Sequence, residues 1–438
     1  MYIQRTVDKE LLEWRLSSNR KPLLIRGARQ VGKSTAVRNL AKSFDHFIEI
    51  NFDEQPEYSK LFENAATIED LLEQISLITN TKITEGKTLI FLDEIQACIP
   101  AISMLRYFYE KKPNLHVIAA GSLLEFALAE LPSFGVGRVR SIFMYPLSFI
   151  EFLGALKEDS LINLIESSSD EKPITEMIHD KIKNYLKKFL IIGGMPEVVN
   201  VYVSNGDILE AQKILDDLVI SIQADFTKYK KRIGSDRIRL VFESLVQQVG
   251  QKFKYSESIN SLNSAQIKQV IELLEMAGLV YAVTHSACNG LPLGAEVNLK
   301  KKKYLIFDTG IFQRILGLNI AELLLQEDYE VINKGKIAEL FAGLELLKSM
   351  SCYEKTNLYY WQREEKNSQA EIDYVISVHN TIVPIEVKAG TKGAMQSMYI
   401  FLEEKKVKTG IRLSLENFSK YQQIKSMPLY AIKNLFRP

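Results

Sequence analysis

Residues 27–34 read Gly27-Ala28-Arg29-Gln30-Val31-Gly32-Lys33-Ser34, a complete match to the pattern G-x-x-x-x-G-K-S/T. A short apolar run precedes them at residues 22–25, and residues 35–42 have the composition of a helix. A strand, a glycine loop and a helix in this order aim backbone N–H groups and a helix N-terminus at phosphate oxygens. The sequence therefore predicts a phosphate-binding loop, the Walker A motif, with a chance match in a strand–turn–helix as the alternative.

Each residue type in this loop has a chemical reason to be there. Gly27 and Gly32 permit backbone angles and a close approach that a side chain would block. Lys33 places positive charge on the β- and γ-phosphates, and Ser34 supplies a hydroxyl ligand for Mg²⁺. We therefore expect ATP and Mg²⁺ as ligands. The predicted nucleotide-binding residues are Gly27, Ala28, Arg29, Gln30, Val31, Gly32, Lys33, Ser34 and Thr35.

A second motif lies downstream, where four apolar residues at 89–92 are followed by Asp93 and Glu94. This pattern is typical of the Walker B motif. A buried strand would deliver Asp93 to the Mg²⁺ shell beside Ser34, while Glu94 orients and polarises the attacking water. A core strand with an acidic exposed end is the alternative. Together with the phosphate loop, the motif predicts ATP binding and hydrolysis.

Two further residues are candidates for contact with the γ-phosphate. Ser122 follows the apolar run at residues 115–120, in the position called sensor 1 in many ATPases of the AAA class. A plain strand-ending turn is its alternative. Arg138 follows Gly135 and Gly137, and as an arginine finger it would reach the ATP of a neighbouring subunit. That role implies a homo-oligomer; a surface salt bridge is the alternative.

Bulk composition limits the class of protein. The chain has 438 residues, 46% hydrophobic and 25% charged, with a formal net charge of +1. These values fit a globular protein of two to four domains, in which any nucleic-acid binding must come from local patches. The three cysteines form no C-x-x-C pair, which fits a reducing compartment and argues against zinc. No apolar run is long enough to span a bilayer and no signal peptide is evident, so we expect a cytoplasmic protein without a membrane.

The order of predicted elements indicates an α/β chain of three parts. Strands and helices alternate from residue 5 to about 151, which predicts a parallel sheet covered on both faces, the P-loop NTPase domain of residues 1–155. A polar stretch follows, and residues 176–303 form a helical and winged-helix region. There a helix, a strand, a turn and the run Lys300-Lys301-Lys302-Lys303 suggest a hairpin with the lysines on or beside the wing. Winged helices bind DNA or serve as protein-contact or lid modules, and these roles remain open.

The remaining residues, 304–438, contain a second set of charged residues. Glu339 lies on a predicted helix, Asp373 on a strand, and Glu386 and Lys388 at the end of the next strand. This D…E-x-K pattern is typical of restriction-endonuclease-like nucleases. Asp373 and Glu386 can hold Mg²⁺ or Mn²⁺, Lys388 can activate water or steady phosphate charge, and Glu339 can add a ligand or position Lys388. A surface ion-pair cluster in a degenerate fold is the alternative.

Several short pieces of the chain together resemble one family. They are residues 26–34, Leu92-Asp93-Glu94-Ile95-Gln96, Gly121-Ser122, Pro146-Leu147-Ser148-Phe149, Gly193-Gly194-Met195-Pro196, Asp308-Thr309-Gly310 and Glu386-Val387-Lys388. The combination is similar to the prokaryotic AAA-type ATPases that carry a C-terminal domain of unknown function. The resemblance implies an ATPase core, a helical and winged-helix middle and a restriction-endonuclease-like α/β terminal domain. It implies no established substrate.

Two functions from different classes follow from these residues. In the first, an ATPase of the AAA class controls a C-terminal nuclease-like domain that acts on nucleic acid, with DNA as the expected partner. In the second, ATP binding switches the protein between states that bind a partner protein, and the nuclease-like domain is inactive. Binding to DNA that weakens with salt would favour the first, because phosphate contacts release counterions.

Overall fold

A computed structural model describes residues 2–131, 137–229, 233–255, 262–318, 334–364, 370–390 and 395–437. The chain divides into two compact units. The N-terminal unit comprises Met1–Tyr145 with Met276–Gly278 and Ser351–Lys355. The C-terminal unit comprises Pro146–Glu275, Leu279–Met350 and Thr356–Pro438.

The N-terminal unit is built on a five-stranded sheet of order β2-β3-β4-β1-β5, in which all pairings are parallel. The predicted parallel sheet is therefore confirmed. Its strands are β1 Leu23–Arg26, β2 His46–Asn51, β3 Thr88–Asp93, β4 His116–Ala120 and β5 Arg140–Phe143. Its described helices are α1 Thr6–Leu16, α2 Lys33–Ala41, α3 Ser59–Asn64, α4 Ile68–Thr79, α5 Ile99–Lys111 and α6 Leu124–Glu130.

The central strands of this sheet place both predicted motifs at one edge. Strands β3 and β4 are buried along their whole length, as expected for apolar runs in a parallel sheet covered on both faces. Strand β1 ends directly before the glycine loop, and β3 ends at Asp93. Because ligands of such sheets bind at the carboxyl ends of the strands, this edge is the expected site.

The C-terminal unit combines helices with an eight-stranded mixed sheet of order β12-β13-β11-β10-β9-β8-β6-β7. Its strands are β6 Val280–Ser286, β7 Val297–Ile306, β8 Leu358–Gln362, β9 Glu371–Val378, β10 Thr381–Val387, β11 Gly410–Ser414, β12 Ser419–Tyr421 and β13 Ile424–Pro428. The helices described in it are α7 Phe149–Ala155, α8 Asp159–Ser167, α9 Glu176–Ile192, α10 Pro196–Asn205, α11 Ile208–Asp225, α12 Ser235–Gln247, α13 Ser264–Met276, α14 Thr309–Ile315, α15 Lys334–Ser349 and α16 Gln396–Lys405. Met276, the last residue of α13, is assigned to the N-terminal unit.

The hairpin expected in the middle of the chain exists, but it belongs to this larger sheet. Strands β6 and β7 pair antiparallel, and the other edge of β6 pairs in parallel with β8. Strand β7 runs across the boundary predicted between residues 303 and 304, and Lys303 on it is only 2% exposed. Lys303, one of the four lysines expected on or beside the wing, therefore lies on the hairpin with its side chain buried. The predicted domain limits and the winged helix stay predictions.

Two of the short glycine-containing pieces lie side by side in the C-terminal unit. The buried carboxylate of Asp308 caps helix α14 by accepting a hydrogen bond from the Ile311 N–H at 3.0 Å. Its other oxygen accepts from the Gly194 N–H at 2.7 Å. A Cβ at Gly193 would come within 2.1 Å of the same carboxylate, and Gly193 has a φ of 74°. Glycine is therefore required at that position.

Within the described parts of the chain, none of the helices has the length and apolar character needed to cross a lipid bilayer.

Candidate functional site

The glycine loop between β1 and α2 has the backbone geometry that its sequence predicts. Gly27 has a φ of 142°, and a Cβ there would lie 2.1 Å from the Met144 carbonyl oxygen. Gly32 has a φ of 93° and precedes the first residue of α2, Lys33. A side chain at Gly27 would displace the Met144 backbone, and the positive φ of Gly32 would strain any residue that carries a Cβ. The N-terminus of α2 therefore follows directly from the loop.

The Lys33 ammonium is buried beneath this loop. It is 7% exposed and donates to the carbonyl oxygens of Ala28 at 2.7 Å and Gly27 at 3.0 Å. Burial lowers the pKa of Lys33 to about 8, against the opposing effect of the Glu94 and Asp93 carboxylates. A triphosphate beside this side chain would favour its charged form and so raise this pKa.

Ser34 and Asp93 meet at the edge of the sheet. The Ser34 hydroxyl donates to Asp93 Oδ2 at 2.7 Å, and Asp93 Oδ1 accepts from the Glu94 N–H at 3.1 Å. Burial raises the pKa of Asp93, and the Ser34 hydrogen bond opposes that shift. A hydroxyl and a carboxylate side by side fit Mg²⁺ that also takes phosphate oxygens. The structure thus brings together the two residues predicted to share the metal.

Glu94 belongs to a chain of polar contacts that includes Ser122. Its backbone is in the left-handed region, with a φ of 48°. Gln96 Nε2 donates to Glu94 Oε2 at 2.5 Å, and the Ser122 hydroxyl lies 3.4 Å from the same oxygen. Arg29 Nε in turn donates to Ser122 Oγ at 3.1 Å. The predicted water-orienting glutamate, the predicted sensor residue and a loop arginine are therefore in one network.

Gln96 was missed by sequence reasoning. Its place two residues after Glu94 was the available signal. A Cβ at Gly121 would lie 2.0 Å from Gln96 Oε1, so a side chain there would displace the Gln96 amide group.

Arg138 pairs with Glu110 of helix α5. This contact is the surface salt bridge that the sequence left open as the alternative. Gly135, one of the two glycines predicted to present Arg138, lies outside the described residues. A role for Arg138 toward a neighbouring subunit stays a prediction.

In the C-terminal unit, two of the predicted site residues, Glu339 and Asp373, lie next to Lys303, which was not predicted as a site residue. Lys303 Nζ lies 2.6 Å from Glu371, 2.9 Å from Glu339 and 3.9 Å from Asp373. Burial opposes the charge on Lys303, but the three carboxylates raise its pKa above the ordinary value. Burial raises the pKa of Glu339 to about 7, although Lys303 opposes this shift. Glu339 is thus paired with Lys303 on β7, and no described contact joins it to Lys388.

The other half of the cluster contains Asp373, Glu386 and Lys388. Asp373 Oδ2 accepts from the Val387 N–H at 2.8 Å, and Lys388 Nζ lies 2.5 Å from Glu386 Oε1. Glu386 is 5% exposed, and its Oε2 is buried with no hydrogen-bond partner among the described residues. Burial raises the pKa of both carboxyl groups. A Mg²⁺ or Mn²⁺ ion held by Asp373 and Glu386 stays a prediction.

The described residues contain no group of three or more His, Cys, Asp or Glu side chains arranged to hold a metal ion. A divalent cation at the glycine loop, or at Asp373 and Glu386, would therefore need further ligands that are not protein side chains. At the glycine loop these would be phosphate oxygens, and at Asp373 and Glu386 they would be water, substrate or backbone oxygens.

Comparison with known families divides the chain into three matched regions. A family described as an AAA domain matches residues 19–153. Families described as domains of unknown function match residues 183–322 (DUF8612) and 334–432 (DUF4143). The chain contains an AAA domain. The matched AAA residues include the glycine loop and Asp93, whose geometry also fits a nucleotide site. The DUF4143 match covers Glu339, Asp373 and Glu386 but assigns no chemistry to them.

Individual relatives are distant. An uncharacterized protein of Haemophilus influenzae is 27% identical over 246 residues, which are 53% of this chain and 54% of that protein. The chain thus spans about half the length of this curated relative. Among solved structures, the Walker-type ATPase of Pyrococcus abyssi is 16% identical with a TM-score of 0.46, over 72% of this chain and 96% of that one. The ORC1 protein of Aeropyrum pernix in complex with DNA is 12% identical with a TM-score of 0.29, over 74% of this chain and 95% of that one.

Proposed function

We propose that the N-terminal unit binds Mg-ATP and hydrolyses it. The observation that carries this proposal is the meeting of Ser34 and Asp93 at 2.7 Å, beside a glycine loop whose lysine is buried under its own carbonyls. When bound, Mg²⁺ would neutralise charge on the β- and γ-phosphate oxygens from a place beside Ser34 and Asp93. Lys33 adds a second positive charge, and the N-terminus of α2 faces the phosphates.

Glu94 is proposed to accept the proton of the attacking water. Its carboxylate accepts from Gln96 and lies beside Ser122, so its orientation is set by neighbours rather than by solvent. A carboxylate held in this way can align a water and accept its proton as the bond to the γ-phosphate breaks. Ser122 and Arg29 would then sense the γ-phosphate, because the same contacts connect them to Glu94.

Lys33→Ala tests whether the loop binds nucleotide. We expect this variant to lose detectable ATP binding by calorimetry, because the side chain that contacts the phosphates is gone. Lys42→Ala is the matched control, since Lys42 is an exposed lysine at the other end of the same helix. Wild-type affinity in Lys33→Ala would contradict the proposal, and loss of affinity in both variants would point to a general change in charge.

For the C-terminal unit we propose a nuclease-like domain that acts on DNA and is controlled by the nucleotide state of the N-terminal unit. The orphaned Glu386 oxygen beside Asp373 supports a Mg²⁺ or Mn²⁺ ion there, and Lys388 is close enough to steady charge on a phosphodiester. The strand placement of Asp373 and Glu386 supports the restriction-endonuclease-like fold. The winged helix would supply DNA or protein contacts.

A specific observation favours the alternative as well. Lys303 neutralises part of the acidic cluster from within the fold, which is the ion-pair arrangement expected of an inactive domain. In that case ATP binding orders the domains to bind a partner protein, and the nuclease-like domain is inactive.

Purified protein with plasmid and linear DNA, with and without ATP and Mg²⁺ or Mn²⁺, separates the two roles. The nuclease role predicts metal-dependent cutting that Lys388→Ala abolishes while ATP hydrolysis continues. Lys420→Ala, at an exposed lysine of β12, is the control that should cut normally. The absence of both cutting and salt-sensitive DNA binding would leave the switch as the function of this unit.

A further inference from the structure

The side chain of Lys303 occupies the interior of the acidic cluster. It is 3% exposed, whereas the side chains of Glu339, Asp373 and Glu371 are 14%, 20% and 32% exposed. Its ammonium also lies 5.3 Å from the centre of the Tyr360 ring. Lysine reaches this place from β7, while the carboxylates come from helix α15 and strand β9. Three separate elements therefore meet at one positive charge.

The distances show what kind of group this place accepts. Carboxylate oxygens of Glu371, Glu339 and Asp373 lie 2.6, 2.9 and 3.9 Å from the ammonium nitrogen. Hard divalent cations bind such oxygens at about 2.0–2.6 Å, so a metal ion in place of the ammonium would draw the carboxylates inward and complete its shell with water. Carboxylates gathered this closely repel one another unless a positive charge lies between them, and either an ammonium or a metal ion can supply that charge.

We propose that the Lys303 ammonium is the built-in cation of the Glu339–Glu371–Asp373 cluster and fills the position that a divalent cation would otherwise take. The cluster then holds together at any concentration of divalent metal. A metal ion can enter only on the other side, between Asp373 and the unpartnered Glu386 oxygen. Lys303 is in this account a positioning residue, which restrains Asp373 and limits the site to one metal.

This inference takes one element from the proposed function, the metal ion at Asp373 and Glu386. The role of the Lys303 ammonium as the counter-ion of the other carboxylates does not depend on that metal. Manganese bound per full-length, nucleotide-free chain is therefore counted for the wild type and for Lys303→Ala, by calorimetry and by the loss of the free-Mn²⁺ resonance signal. We expect Lys303→Ala to bind one more Mn²⁺ than the wild type, and its melting temperature to rise more when Mn²⁺ is added.

Two variants serve as controls. Lys303→Arg keeps the positive charge and should gain no Mn²⁺. Lys302→Ala removes the neighbouring lysine of β7, whose side chain points to the opposite face of the strand, and should also gain none. Adding Glu339→Gln to Lys303→Ala should abolish the extra Mn²⁺, because a carboxylate ligand is removed.

The outcomes separate this inference from the proposed nuclease role. One Mn²⁺ in the variant and none in the wild type would support the Lys303 inference and contradict the metal at Asp373 and Glu386. Equal counts in folded wild type and Lys303→Ala would overturn the inference, whatever the count is. A variant that folds only with Mn²⁺ supports it. A variant unfolded in both buffers contradicts it, because the metal should replace the ammonium.

Discussion

At the scale of single residues, burial changes the chemistry of side chains far from the phosphate loop as well as within it. His116 begins strand β4, with the rings of Trp14 and Phe44 edge-on against it. Its Nε2 lies 3.1 Å from the Arg15 carbonyl oxygen and so donates, while Nδ1 has no partner among the described residues. Burial lowers the pKa of His116 to about 4, although the Arg15 carbonyl opposes this.

This shift predicts how stability depends on pH. The unfolded state gains a proton on His116 below about pH 6.5, whereas the folded state does not until about pH 4, so the free energy of unfolding falls across that window as pH falls. Between neutral pH and about pH 5 the wild type should lose up to about 2 kcal/mol more than His116→Gln. Urea denaturation at the two pH values measures the difference. Parallel losses in both proteins would show that His116 is not responsible.

At the scale of elements, the turn at residues 193–194 and helix α14 depend on one carboxylate. Asp308 accepts from the Ile311 N–H at the helix start and from the Gly194 N–H. Asp308→Ala removes a helix cap and leaves a buried N–H without its acceptor, so we expect a loss of about 2–4 kcal/mol in the free energy of unfolding. Asp207→Ala is the matched control, because Asp207 caps α11 at an exposed position. It should cost only about 1 kcal/mol, and equal costs would contradict the account of Asp308.

Elements also show which parts of the structure were predictable from the sequence. The strand, glycine loop and helix at residues 23–41 were predictable because the motif and its flanking pattern are local. Lys303 was not, because a run of four lysines is typical of a solvated strand, and its burial depends on the pairing of β6 with β8, whose paired residues such as Val283 and Leu358 are far apart in the sequence. The signals were the apolar residues directly after Lys303 and the two-residue spacing of Glu371 and Asp373, which places them on one face of β9.

At the scale of the whole molecule, an AAA domain precedes two regions matched by families of unknown function. Assembly of the chain into an oligomer can be tested through Arg138. If Arg138 reaches the ATP of a neighbouring subunit, ATPase activity per chain should rise with protein concentration. Mixing Arg138→Ala with Lys33→Ala should then restore part of the activity, because each chain supplies what the other lacks. Activity that is independent of concentration, with no rescue, would leave the Glu110 ion pair as the role of Arg138.

ATP hydrolysis at the carboxyl ends of the N-terminal strands is the central activity proposed for this protein. The most direct measurement is steady-state release of phosphate from Mg-ATP by the wild type and by Glu94→Gln, with ATP affinity measured on the same samples. We expect Glu94→Gln to bind Mg-ATP like the wild type and to hydrolyse it at least about a hundredfold more slowly, since the water-orienting carboxylate is lost. Normal turnover in Glu94→Gln, or no hydrolysis by the wild type under any condition, would contradict this proposal.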